Sequence, residues 1–223
     1  MTRDIAIDGP SGSGKTSIGV RVADELRLMF VDSGLLYRVF TAAYCERFAD
    51  VGRVDLAGLR GIASERVRYM ESGEVLYGGR HLAVPLHGDP VDGLVSPVSA
   101  VPSVRSAVNR ELRRISNVRD VVMAGRDIGT TVLPHAFLKV FITAPAEVRA
   151  LRRAAQLNRL GVRITMDDAL ANIVERDRID STRKDSPLRC TPDHLLLDNS
   201  GCGIDGIAAV IAAEYGRRLN DAV

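Results

Sequence analysis

The chain has 223 residues, 46% hydrophobic and 26% charged, with a net charge of +2; that length fits one large domain or a core with a small insert. The near-neutral charge excludes a global polyanion-binding surface, and no apolar run approaches the ~20 residues of a membrane span, so neither nucleic acid nor a membrane is expected as a partner. Cys45, Cys190 and Cys202 are widely spaced, and His81, His87, His135 and His194 form no H-x-x-x-H pair, so the expectations are buried or inert thiols, no metal cage and a cytoplasmic location.

The chain enters a strand almost at its start, so no signal peptide is expected. Ile5-Ala6-Ile7 is an apolar run of the length of a short buried strand. Next comes Gly9-Pro10-Ser11-Gly12-Ser13-Gly14-Lys15-Thr16, which fits G-x-x-x-x-G-K-[ST], the phosphate-binding loop of nucleotide triphosphatases and kinases. Gly9, Gly12 and Gly14 let the backbone bend tightly and approach a ligand, and the N–H groups then cradle phosphate oxygens. Lys15 is placed to reach the β- and γ-phosphates, and the Thr16 hydroxyl to ligate Mg²⁺. Ser17 completes the ATP-binding set. Only Lys15, Lys139 and Lys184 are lysines among 30 basic residues, and one of the three stands where this motif needs it. Ile18, Val22, Ala23 and Leu26 recur at helical spacing, so the helix after the loop adds its positive end to the anion site.

Met29-Phe30-Val31 reads as a second strand, Asp32-Ser33-Gly34 as a turn, and Leu35 to Arg47 as a helix. Asp50 to Gly61 is a polar connection with a short helical pattern. Composition changes from Ser64 to about Pro102. Arg66 to Met70 and Glu74 to Tyr77 alternate as hairpin strands around Glu71-Ser72-Gly73, and a Gly- and Pro-spaced stretch follows. This segment reads as a small inserted subdomain over residues 64–102, with a plain surface excursion as the alternative.

Val104 to Ile115 is helical, and Val121 to Ala124 and Leu138 to Ile142 are short apolar strands. An Arg-rich helix runs from about Ala146 to Leu160, stopped by Gly161. Thr165-Met166-Asp167-Asp168 has the form of a capping box for a helix to about Arg178. Leu195 to Leu197 is the last strand and Ile204 to Leu219 the last helix. Apolar strands alternating with amphipathic helices imply an α/β fold with a parallel sheet covered on both faces.

Three stretches identify the resemblance. They are Ile5 to Arg38, with Asp32-Ser33-Gly34-x-x-Tyr37-Arg38 closing it; Gly125-Arg126-Asp127-Ile128-Gly129-Thr130; and Arg176-Asp177-x-x-Asp180-Ser181-Thr182-Arg183, followed by Ser186-Pro187-Leu188. In order and spacing they resemble the bacterial cytidylate (CMP/dCMP) kinases almost end to end. The resemblance implies a P-loop kinase three-layer fold: a five-stranded parallel sheet, the inserted nucleoside monophosphate-binding subdomain, and an Arg-rich lid at about 148–165. It implies ATP with Mg²⁺ as phosphoryl donor, CMP or dCMP as acceptor, and a monomer.

By the same resemblance Arg38, Arg126 and Arg183 hold the acceptor phosphate; Ser33 belongs to the same CMP-binding set. Ser96, Arg105 and Asp127 meet the base, and Arg176 and Asp180 the ribose. Cytosine donates from N4 and accepts at O2 and N3, so a carboxylate or hydroxyl and an arginine are the groups that read it. Lys15, Arg126, Asp127 and Arg183 are the catalytic candidates; Arg149, Arg152, Arg153, Arg159 and Arg163 are the lid arginines. Ordinary ion pairs are the competing reading: Arg126 with Asp127, Arg176 with Asp180 at i,i+4, and snorkelling arginines on a solvated helix face. Other acceptors (UMP, dTMP) and a non-catalytic ATP-binding module are the remaining functional alternatives. The chain departs from the family's insert pattern at His81-Leu82-Ala83 and Leu86-His87, and some relatives have glycine where Thr16 stands.

Overall fold

A computed structural model describes residues 2–48, 55–88, 90–159 and 161–221; Asp50 and Leu160 lie outside them. Two compact units divide the chain, one of Met1–Phe30 with Val121–Val223 and one of Val31–Asp120.

The first unit is built on a five-stranded parallel sheet flanked by helices, with strand order β2-β5-β1-β6-β7. Its strands are β1 (Ile5–Asp8), β2 (Met29–Asp32), β5 (Val121–Gly125), β6 (Leu138–Thr143) and β7 (Leu195–Asp198). β1 sits at the centre, with Ile5 opposite Val122 on one side and Leu138 on the other. Every residue of β1 and β5 is buried, the signature of strands covered on both faces. β7 lies at the edge and alternates half-buried with exposed.

Helices α1 (Lys15–Leu26) and α8 (Gly203–Asp221) supply Ile18, Val22, Ile207, Ile211 and Tyr215 to a core shared with Ile5, Ile7, Val140 and Ile142. Helices α6 (Ala146–Arg159) and α7 (Met166–Thr182) close a smaller cluster of Ala150, Ala154, Ala169 and Ile173. Small residues at that contact let the two helices approach closely. The Thr165 hydroxyl caps α7 by accepting from the Asp168 N–H at 3.1 Å. The helix then runs one turn past Arg178, and so carries Asp180 while Arg183 ends it.

The second unit holds α2 (Ser33–Arg47), α3 (Leu56–Ser64), the antiparallel hairpin of β3 (Val67–Tyr69) and β4 (Val75–Tyr77), α4 (Val91–Ser99) and α5 (Pro102–Ser116). Asp32 and Ser33 do not form a turn. Asp32 caps α2 through its side chain, which accepts from the Gly34 N–H at 2.8 Å, and the helix begins at Ser33. α2 packs on α3, α4, α5 and β4, which groups it with the hairpin. Buried Glu111 on α5 binds the hairpin, accepting from the Tyr69 N–H at 2.9 Å and pairing with Arg68 and Arg114.

The three cysteines are free. Cys45 is half-buried and Cys190 and Cys202 are exposed, so of the expected buried or inert thiols none is fully buried. Among the described residues no helix is long and apolar enough to cross a membrane.

Gly19 of α1 faces Phe30 so closely that a Cβ there would lie 2.4 Å from the ring. Gly19→Val should therefore lower stability by about 1–3 kcal/mol, read as a shift of the urea midpoint. A midpoint within experimental error of the parent chain would contradict this packing.

Candidate active site

β1 delivers the chain into the phosphate loop. A side chain at Gly9 would meet the Ile142 carbonyl of β6 at 2.0 Å, and one at Gly14, where φ is +96°, would meet the Asn199 amide at 2.7 Å. Glycine is required at Gly9 by the close approach of the Ile142 carbonyl and at Gly14 by its left-handed φ, with the Asn199 amide pressed close. α1 starts from Gly14 with no side-chain cap and no acidic residue in its first turn. By contrast α2, α3 and α7 are capped by Asp32, Asp55 and Thr165. A helix start without a side-chain cap, after a glycine loop, is suited to an anion.

Lys15 is buried and donates to the Pro10 carbonyl at 2.6 Å and the Ser13 hydroxyl at 3.3 Å, so its ammonium lies over its own loop. Thr16 and Ser17 are exposed on the first turn of α1.

Three residues to which sequence reasoning gave no role support the loop, the arginine that holds it and the turn after β5. Asn199, just after β7, donates from Nδ2 to the Ser13 carbonyl at 2.9 Å, and its own N–H reaches Thr143 at 2.8 Å. Asp8, the last residue of β1, is fully buried and accepts from the Ile128 and Gly129 N–H groups at 2.8 and 2.7 Å. Asp177 pairs with Arg149 at 2.7 Å. Asp8 and Asp177 lie inside the quoted motifs, which was their only sequence signal; Asn199 had none, because its role depends on β7 lying beside β6.

The arginines of α6 divide. Arg149 is buried, and donates to the Ala144 carbonyl at 2.7 Å and the Ser11 carbonyl at 3.1 Å. It ties the phosphate loop to α6 and, through Asp177, to α7; it does not lie on a solvated face. Arg152 donates to the Asn199 carbonyl at 2.6 Å. Arg153 and Arg159 make local contacts on α6, to Gln156 and the Ala155 carbonyl, and Arg163 is exposed beyond it.

A charged quartet follows β5. Asp127 opens a π-helical turn (Ile128–Val132). Arg126 Nε donates to Asp180 at 2.8 Å, and Arg183 Nη2 donates to Asp127 at 3.0 Å. Arg183 also approaches Asp180 at 3.7 Å. Arg126 thus pairs with Asp180 and not with its neighbour Asp127, and the Asp180 carboxylate is shared by Arg126 and Arg183. Burial works to raise the Asp180 carboxyl, but Arg126, by charge and hydrogen bond, and then Arg183 and Arg176 outweigh it and hold the pKa below its ordinary 3.8.

The second unit carries Ser33, Arg38, Ser96 and Arg105. Arg38 does not stand at an element end; it lies within α2, paired with Asp92 at 2.7 Å and donating to the Leu86 carbonyl at 2.8 Å. The departing stretch around His81 and Leu86 is therefore tied to α2, a second time through Glu46, which accepts from Arg80, Ala83 and Val84. Ser33 is buried at the first turn of α2. Arg105 is 1% exposed, donates to the Ser99 carbonyl at 3.2 Å and lies 5.7 Å from the Tyr37 ring centroid. Ser99 in turn donates to the Ser96 carbonyl at 2.8 Å, so Ser96 and Arg105 are linked through one residue.

Acidification probes the quartet. The folded state binds the Asp180 proton less readily than the unfolded chain. Stability from this group is therefore present above the ordinary carboxylate range and lost as pH falls through the lowered value. Asp180→Asn should flatten the loss of stability below about pH 4, followed by urea midpoints. A variant curve that falls in parallel with the parent would contradict the pairing.

A family model described as cytidylate kinase matches residues 5–217. A cytidylate kinase of Mycobacterium avium (strain 104) is 39% identical over 199 residues, which are 88% of this chain and 87% of that protein. A cytidylate kinase of Porphyromonas gingivalis (strain ATCC BAA-308 / W83) is 42% identical over 205 residues, 88% of each. A crystal structure of an uncharacterized protein from Eubacterium ventriosum superposes with a TM-score of 0.54 at 13% identity, covering 95% of this chain and 97% of that one. At that identity the likeness is one of fold.

Proposed function

The chain belongs to the cytidylate kinase family, and we propose that it transfers the γ-phosphoryl group of ATP to CMP or dCMP, releasing ADP and CDP or dCDP. The observation that carries this reading is a kinase phosphate loop in the same compact unit as the Arg126–Asp180 and Arg183–Asp127 pairs. A nucleotide switch has no use for acceptor-side arginines.

The donor is assigned to Gly9, Pro10, Ser11, Gly12, Ser13, Gly14, Lys15, Thr16 and Ser17. Among the described residues no cluster of three or more His, Cys, Asp or Glu is arranged to cage a metal. Mg²⁺ needs none, because it keeps several waters and is held through substrate phosphates with one or two protein oxygens. The exposed Thr16 hydroxyl is a hard oxygen donor in the right place and fits that role. When bound with ATP, Mg²⁺ supplies charge neutralisation on the transferring phosphates.

The acceptor phosphate is assigned to Arg38, Arg126 and Arg183, with Ser33 in the same CMP-binding set; the base to Ser96, Arg105 and Asp127; and the ribose to Arg176 and Asp180. Residues 64–102 are the nucleoside monophosphate-binding insert in this reading, and 148–165 the lid. A guanidinium presents its donors in one fixed plane. The carboxylates that hold Arg126 and Arg183 therefore fix the planes in which a phosphate is met, so less ordering is left to do on binding.

A phosphate oxygen of CMP attacks the γ-phosphorus as the bond to the β-bridging oxygen breaks on the opposite side. That oxygen is already largely ionised at neutral pH, so no general base is required. Positioning and charge neutralisation by Lys15 and the arginines supply the rate. In cells the enzyme is a cytoplasmic monomer in this reading.

ADP release from MgATP, with CMP, dCMP, UMP and dTMP offered separately, tests the assignment. Strong turnover with the first two and weak turnover with UMP is expected; preference for another acceptor would keep the kinase and overturn the base-reading set. Lys15→Ala should cut kcat by about 100-fold or more in a protein that still folds, and chelation of divalent metal should abolish turnover. Near-parental turnover in the Lys15 variant would sink the mechanism.

A further inference from the structure

Asp8 is a fully buried carboxylate one residue before the phosphate loop. Its oxygens take the N–H groups of Ile128 and Gly129, the two residues after Arg126-Asp127. Among the described residues the ionisable side chain that faces Asp8 is His194, with Nε2 3.6 Å from Oδ2. The imidazole is itself fully buried. The Thr191 N–H, which can only donate, lies 3.2 Å from Nδ1; with Nδ1 as its acceptor the ring proton sits on Nε2 and faces Asp8, and that tautomer is part of the inference drawn here. The Thr191 hydroxyl, 2.6 Å from Nδ1, also contacts Asp193, and Asp193 is salt-bridged to Lys139 at 2.6 Å. The ring edge is packed against Phe141. At Gly129 an added Cβ would lie 2.9 Å from His194 Nε2 and 3.3 Å from Asp8 Oδ2, so the turn, the ring and the carboxylate converge on one point.

We infer that His194 is a positioning residue: its Nε2–H holds the Asp8 carboxylate against the Ile128 and Gly129 amides, and so fixes the turn that presents Arg126 and Asp127. The physical need is direct. A buried carboxylate with only two amides as partners is undercompensated, and at 3.6 Å the imidazole N–H acts by electrostatics, beyond hydrogen-bond range. An apolar side chain of similar size fills the same space and removes that compensation. Among the described residues no hydrogen bond or ion pair joins His194 to the phosphate loop or the quartet, so its electrostatic effect on them passes through Asp8. The kinetic consequence rests on the cytidylate kinase reading; the structural one does not.

The test compares His194→Leu with His194→Gln, whose carboxamide offers an N–H. In His194→Leu, amide hydrogen exchange at Ile128 and Gly129 should accelerate about tenfold while the Ile5–Asp8 amides stay protected. KM for CMP should rise with KM for ATP unchanged. His194→Gln should restore both. If His194→Leu does not fold, His194→Ala, which also lacks the donor, takes its place. Unchanged exchange at Ile128 and Gly129, or equal acceleration in the Gln variant, overturns the inference whatever the acceptor. Accelerated exchange in a protein that does not phosphorylate CMP instead removes the cytidylate kinase reading and leaves the inference standing.

Discussion

Buried and half-buried carboxylates decide where the arginines of this protein point. A guanidinium cannot shed its charge on burial, so each one taken out of water needs a fixed acceptor. Asp180 and Asp127 provide it for Arg126 and Arg183, Asp177 for Arg149, and Asp92 for Arg38. Where both partners are buried, as in Arg183–Asp127, removing one leaves an uncompensated charge, at a cost of about 3–5 kcal/mol. The same pairs that would be expensive to break are therefore the ones that hold these guanidinium groups in register. Stability and pre-organisation are here the same set of contacts.

The phosphate loop illustrates this on the donor side. Its shape is not left to glycine flexibility. Ile142 presses on Gly9, Asn199 on Gly14 and the Ser13 carbonyl, and Arg149 holds the Ser11 carbonyl. Three elements that are distant in sequence, β6, α6 and the segment after β7, thus mould eight residues of chain. Pre-formed donors of this kind need little reorganisation when charge moves during phosphoryl transfer. Asp8 extends the bracing from the loop to the turn after β5, so the two charged regions of the first unit share a buried support.

The second unit uses a similar device around α2. Arg38 and Glu46, two turns apart on that helix, hold the segment from Arg80 to Leu86. The Leu86 carbonyl, the Ala83 and Val84 N–H groups and the Arg80 side chain tie that segment to α2.

Local order and chemistry were legible in the sequence. Apolar runs and 3.6-residue spacing gave the strands of the sheet and most of the helices, and the glycine pattern gave the phosphate loop, because these signals depend on near neighbours in the chain. The Thr165 cap was readable for the same reason. The pairing of charges was not. Adjacency suggested Arg126 with Asp127; the fold instead joins Arg126 to Asp180, 54 positions away, and Asp127 to Arg183, 56 positions away, while Arg176, which helical spacing set beside Asp180, does act on that carboxylate by its charge. Asn199 on the loop and His194 facing Asp8 were equally hidden, since each depends on which strand lies beside which. The sequence by itself determined the elements, the donor motif and the types of charged group. Only the tertiary structure decided their partners, because burial makes compensation obligatory and strand order sets which opposite charge is within reach.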